Sequence, residues 1–140
     1  MSDSIEIASV ESLLRQKLVE EKSVATAYLF GSFGTPYFNA ESDIDVALLF
    51  YPDRVPDVFE VLAIQEKLST AARRKVDVVF LNESSPVICM QVLRHGRKLI
   101  DRDPQVTSDF FVRTVNFYSD LRRIRLPIEE NILSGRLYSG

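Results

Sequence analysis

The run Asp43 to Phe50, DIDVALLF, limits what this chain can become more than any other stretch. After its first residues it is apolar throughout, so as a strand it offers no face that suits water. It belongs in the middle of a sheet covered on both sides. Its mouth nevertheless carries Asp43 and Asp45, two apart, and both carboxylates therefore leave the same face of the strand. Carboxylates side by side repel each other, and burying them is costly unless something positive lies between them. A divalent cation is the natural solution. Hard oxygen ligands favour magnesium, which usually keeps several waters and shares its sphere with substrate phosphates.

A second apolar run, Val24 to Phe30 (VATAYLF), reads as the preceding strand and closes on Gly31-Ser32. Gly31 permits close backbone approach, and the Ser32 hydroxyl and the amides after it can donate to phosphate oxygens. Gly, Pro and Asn mark residues 31–42 as a turn region, with room for a short helical turn after Ser32. If this turn serves the same site as the two aspartates, the end of the first strand meets the start of the second. The two are then antiparallel neighbours, which argues against a dinucleotide-binding doubly wound sheet. Asp77 opens a third apolar run, Lys75 to Leu81 (KVDVVFL), after a segment long enough for a right-handed helical crossover. That strand would lie parallel to the second, with its start beside the start of the second. All three acids would converge on one edge. Each feature has a plainer reading when taken alone: capping for the Asp pair, a turn for Gly-Ser, a hydrogen-bonded structural carboxylate for Asp77. Their joint occurrence in this order carries the functional reading.

The rest of the chain supplies helices for an α/β (α+β) domain. Ser9, Glu11 and Ser12 followed by Leu13, Leu14, Leu18 and Val19 predict a capped amphipathic helix through about Lys22. Residues 57–72 predict a second, with apolar spacing at Val58, Val61, Leu62 and Leu68 and with Ile64 one step off. Residues 86–94 look helical and 97–100 look like a short edge strand. Pro104 opens a long helix to about Leu126, on which Phe110, Phe111, Val115, Phe117, Tyr118, Leu121 and Ile124 make a face broad enough to cover the sheet and meet another chain. The expected division is a domain over residues 1–103 and a helical segment over 104–140.

With 140 residues, one core is affordable and no stretch approaches the roughly 20 apolar residues of a membrane span. The acidic N-terminus lacks the basic and apolar regions of a signal peptide, and the default reading is cytoplasmic. The single cysteine, Cys89, cannot form an internal disulfide and reads as core packing within Val87–Met90. The net charge of −3 argues against a general nucleic-acid binder, though it is unevenly spread. Residues 1–93 hold 8 Lys/Arg against 14 Asp/Glu (−6), and residues 94–140 hold 9 against 6 (+3). His95, before Gly96, reads as a helix-end residue. Tyr118 and Tyr138 are conceivable acceptors for self-modification, with helix packing and a terminal tail as their plainer roles. Arg122, Arg123 and Arg125 suit a solvated helical face at least as well as a ligand.

Leu29-Phe30-Gly31-Ser32, ten further residues, Asp43-Ile44-Asp45, and Asp77 on a later strand together resemble the nucleotidyltransferase superfamily of DNA polymerase beta. The resemblance covers about residues 24–81. The short length, the segment Val92 to Asp103 and the terminal helix resemble its minimal branch, which includes the MntA-type antitoxins paired with HEPN-domain toxin ribonucleases. It implies the nucleotidyltransferase fold and transfer of AMP from ATP to a tyrosine hydroxyl of a cognate HEPN toxin. It further implies that Gly31 and Ser32 hold the triphosphate, that Asp43 and Asp45 bind one or two magnesium ions, and that Asp77 lies beside the acceptor hydroxyl as a third ligand. One departure stands out. Relatives usually carry an arginine shortly after the Gly-Ser pair, and this chain has no basic residue between Ser32 and Asp43. Arg73, Arg74, Lys75 or the basic tail are the available substitutes. The missing arginine motivates a second reading, a module that blocks a toxin by occlusion alone. A third is a small-molecule nucleotidyltransferase of the aminoglycoside type, for which residues 104–140 look too short to build an acceptor pocket unaided.

Overall fold

The computed structural model describes residues 2–31 and 43–135. The order of elements is α1 (Ser2–Glu20), β1 (Val24–Phe30), β2 (Ile44–Phe50), α2 (Val58–Ala72), β3 (Val76–Phe80), a 3-10 turn (Leu81–Glu83), α3 (Pro86–His95), β4 (Arg97–Asp101) and α4 (Pro104–Gly135). The four strands form one mixed sheet in the order β3-β2-β1-β4. β1 is antiparallel to β2 and to β4, and β2 is parallel to β3. This is the sheet expected from the placement of the acids, with β4 on the edge as its length suggested.

The sheet separates two cores. On one face Ile44, Val46, Leu48 and Phe50 of β2 meet Val10, Leu14 and Leu18 of α1 and Val61, Ile64, Leu68 and Ala72 of α2. On the other, Ala47 and Leu49 meet Tyr28, Cys89, Val92 and Phe110, which brings α3 and the start of α4 onto the sheet. Cys89 is buried, its thiol donating toward the Leu81 and Ser84 carbonyls, as a core cysteine should.

Three local expectations need correction. Helix α1 begins at Ser2, so Ser9 is an exposed residue inside the helix and not its cap; nothing from Ser2 to Ala8 is a Gly or Pro that would break it. In α2, Ile64 is on the core face, while Val58 and Leu62 point to solvent. The stripe follows Val61-Ile64-Leu68-Ala72, a spacing of three, four and four that the exposed apolar residues disguised. Helix α4 continues to Gly135, past the end expected near Leu126. The turn region expected over 32–42 lies outside the described residues.

Side chains secure both edges of the sheet. The backbone N–H groups of Val76 and Val78 on edge strand β3 donate to Ser69 Oγ (3.0 Å) and Gln65 Oε1 (2.9 Å) of α2. Asn82 extends the ladder beyond β3 by accepting from Phe50 N (2.9 Å) and donating to Phe50 O (3.1 Å). At the other edge Arg102 donates to the Leu18 and Glu21 carbonyls at the end of α1, and Arg15 donates to Leu99 O. Helix α4 is pinned at its start, where Thr107 Oγ1 lies 2.6 Å from Thr26 Oγ1 and 2.8 Å from Asp101 Oδ1. Edge N–H groups satisfied in this way do not recruit another strand.

Candidate active site

The carboxylate corner begins with strand register. Asp45 and Asp77 are direct partners across the parallel β2–β3 pair, and Phe30 is the partner of Asp45 across the antiparallel β1–β2 pair. Three chain segments therefore meet at one level of the sheet: the last residue of β1 and the openings of β2 and β3. Alternation puts Asp45 and Asp77 on the same face as Ala47, Leu49 and Val79, the face that carries α3 and α4. Asp43 lies just before β2, and the Ile44 N–H bonded to Lys75 O (3.0 Å) ties that opening to the residue before β3.

Gly31 closes on this corner. Its φ of +84° lies in the region that L side chains rarely adopt, and a Cβ there would stand 2.2 Å from Asp45 Oδ2. The backbone after β1 thus passes directly over an Asp45 carboxylate oxygen, which only glycine permits. Ser32 lies outside the described residues.

The electrostatics follow from the crowding. Burial pushes the Asp45 carboxyl above its ordinary range, and the charges of Asp77 and then Asp43 push it in the same direction. Asp43 faces outward, with Oδ2 3.7 Å from Lys75 Nζ, and both side chains are substantially exposed. Lys75 was one of several cations the sequence offered for the charge missing after Gly31-Ser32; the fold brings it to the far side of the carboxylates from Gly31. Arg73 is in the left-handed conformation at the C-cap of α2 (φ 55°).

Among the described residues, no three His, Cys, Asp or Glu side chains form a closed metal cage. The donor set still fits magnesium, because that ion is commonly held by one or two carboxylates together with waters and substrate phosphates. Burial of Asp45 beside the like charges of Asp77 and Asp43 pushes its pKa up and makes a nearby cation favourable.

His95 is the last residue of α3. Tyr118 packs beneath the Arg94 guanidinium, 5.3 Å from its ring centre, and Arg123 pairs with Asp120 on the exposed side of α4. Tyr138 lies outside the described residues. Sequence reasoning missed Ser69 and Gln65, which hold the start of β3 and hence Asp77. Their polar identity on a half-buried helix position was the one available signal.

Comparison with known proteins agrees with this geometry. The profile of the polymerase beta nucleotidyltransferase family matches residues 13–105. A relative from Shewanella oneidensis, protein adenylyltransferase MntA, is 31% identical over 112 residues, covering 76% of this chain and 75% of its own. Among solved structures, a toxin–antitoxin with AMP-PNP matches with a TM-score of 0.71 at 27% identity, covering 85% of this chain and 98% of that one. A tri-AMPylated Shewanella oneidensis HEPN toxin in complex with its MNT antitoxin matches with a TM-score of 0.67 at 28% identity, covering 94% of this chain and 98% of the matched one. No described helix is long and apolar enough to cross a membrane.

Proposed function

This chain belongs to the polymerase beta nucleotidyltransferase family, and from that premise we propose that it is a protein adenylyltransferase and an antitoxin. It transfers AMP from ATP to a hydroxyl of a cognate HEPN-type toxin ribonuclease in the cytoplasm, and the acceptor is a tyrosine. The observation that carries the reading is the three-segment corner, in which Asp45 is in register with Asp77 and is overlain by Gly31. The likeness to an adenylyltransferase and to an AMPylated toxin complex supplies the donor and the kind of acceptor.

Gly31 and Ser32 hold the triphosphate through close backbone approach and donated hydrogen bonds. Asp43, Asp45 and Asp77 would hold magnesium, one or two ions, which when bound neutralises the triphosphate and the charge that builds up during in-line displacement. Asp77 takes the proton from the acceptor hydroxyl as its oxygen forms a bond to the α-phosphorus. The bond from that phosphorus to the bridging oxygen breaks, and pyrophosphate departs with the electron pair. Lys75, 3.7 Å from Asp43 at the opposite side of the corner from Gly31, would add a positive charge toward the phosphates where the arginine after Gly31-Ser32 is missing. The protein's part is mainly positioning and charge stabilisation.

The outer side of α4 supplies the docking surface. Phe111, Val112 and Phe117 are each about half exposed, at 52%, 53% and 54%. We assign residues 1–103 to catalysis and residues 104–140 to partner docking. Co-expression with the toxin tests the whole reading: wild type restores growth and the Asp43→Asn/Asp45→Asn variant does not. Equal rescue by that variant would refute it and leave occlusion as the mechanism.

A further inference from the structure

On the same face of the sheet as the carboxylates, but toward the β4 edge, lies a cavity of about 410 Å³ lined by residues of β1, α3, β4 and α4. Tyr28 lines it, two residues before Phe30 on the same face of β1, while Asp101, Pro104 and Thr107 place the rest of the lining toward the Thr26 end of that strand, away from the carboxylates. Tyr28 is 97% buried (3% exposed), and its hydroxyl has no hydrogen-bond partner among the described residues. An orphaned buried hydroxyl is uncommon and asks for an explanation. Asp101, whose charge reaches Tyr28, instead accepts from Thr107 at Oδ1 (2.8 Å) and from Lys98 at Oδ2 (3.1 Å). Burial, with the Asp101 charge adding to it, raises the Tyr28 pKa to about 12, so the hydroxyl keeps its proton and remains a donor at any working pH.

The remaining lining matches one ligand chemistry. Leu93, Pro104 and the half-exposed Phe111 ring give apolar walls, while Lys98 and Ser108 add polar groups. The volume is within the range of about 300–1,000 Å³ typical of small-molecule sites, and a few convergent polar groups among apolar walls are their usual composition. A flat heteroaromatic ring carrying acceptor atoms would stack on the apolar walls and accept from Tyr28. The hydroxyl is shut off from water in this conformation, so the ring reaches it by displacing exposed side chains at the rim such as Lys98 and Phe111.

We propose that this cavity is a nucleobase site in which the Tyr28 hydroxyl donates to a ring acceptor. The choice of a base over other rings rests on the nucleotidyl-transfer reading. The base has two possible sources, the ATP donor itself or a separate nucleoside, and one set of measurements separates them.

The test is binding to the full chain without any toxin, so it does not depend on whether the toxin is the acceptor. Calorimetry and saturation-transfer NMR with adenosine and with ATP are run on wild type, Tyr28→Phe and Phe111→Ala. Because the hydroxyl has no partner among the described residues, Tyr28→Phe keeps its melting temperature, and Phe111 is exposed enough for its removal to be tolerated. Adenosine binds wild type, and each substitution weakens it about fivefold or more. If ATP affinity falls in parallel, the donor's own base occupies the cavity; if ATP affinity is unchanged, the cavity serves a separate nucleoside. Adenosine binding that is absent in wild type, or unaltered in both variants, overturns the proposal. An adenylyltransferase that failed to modify any toxin would leave these binding results standing, so the two failures are distinguishable.

Discussion

Along β2, the residues facing α1 and α2 are Ile44, Val46, Leu48 and Phe50, each fully buried, whereas the residues facing α3 and α4 run Asp45, Ala47, Leu49. One strand thus serves two environments. The first face meets two helices along its length in a closed apolar core. The second is apolar only in its inner half, and at its opening it presents Asp45 and Asp77 beneath the Gly31 backbone, with the cavity beside Tyr28 further along the same face. The comparison teaches where stability and chemistry are kept. The α1–α2 face supplies the burial that holds β2 and β3 in register, and the other face uses that register to bring like charges together at a cost that a cation there would offset.

Several substitutions break or sharpen this contrast. The largest effect is expected for Asp45→Asn, which should slow AMP transfer on the order of 1,000-fold, or about 4 kcal/mol of barrier, while the protein stays folded. Steady-state transfer with circular dichroism as the folding control checks it. On the opposite face, Leu48→Ala should lower unfolding free energy by about 3 kcal/mol in urea titrations and leave the activity of the folded fraction intact. A reversal of these two phenotypes would show that the faces do not divide the labour. Gly31→Ala should reduce turnover about 100-fold, because the new methyl displaces the Asp45 carboxylate and strains a positive φ. Its loss should appear mainly in kcat.

The next effect is on stability and pH. The Asp45 pKa is raised in the fold, first by burial and then by Asp77 and Asp43. The stability it contributes is therefore present at acid pH and lost as pH rises through that elevated pKa. Asp45→Asn should accordingly melt above the metal-free wild type at neutral pH, and the gap should close in acid, as thermal melts at the two pH values would show. The smallest change is expected for Lys75→Ala. Its pair with Asp43 is exposed, so removing it should leave stability nearly unchanged and raise KM for ATP roughly threefold.

Much of this arrangement was legible before any coordinates. The order Gly31, Asp43–Asp45, Asp77 fixed which strands must be antiparallel and which parallel, because a shared site demands adjacent strand ends, and the sheet has that pairing. Strand boundaries were close because the apolar runs are short and bounded. The inward face of α2 was harder to read, since exposed Val58, Phe59 and Leu62 blur the period that Val61, Ile64, Leu68 and Ala72 obey. The start of α1 had no strong stop signal to mark it. The Lys75–Asp43 approach, the Ser69 and Gln65 contacts to β3 and the orphaned Tyr28 hydroxyl are products of tertiary packing, which residue spacing along one strand does not encode.

The most direct test of the central claim is the intact mass of the cognate HEPN-type toxin after incubation with this protein, magnesium and ATP. The account predicts a gain of one or more AMP units on a tyrosine, abolished by Asp43→Asn/Asp45→Asn. A toxin bound tightly by the wild-type protein yet unchanged in mass would contradict it.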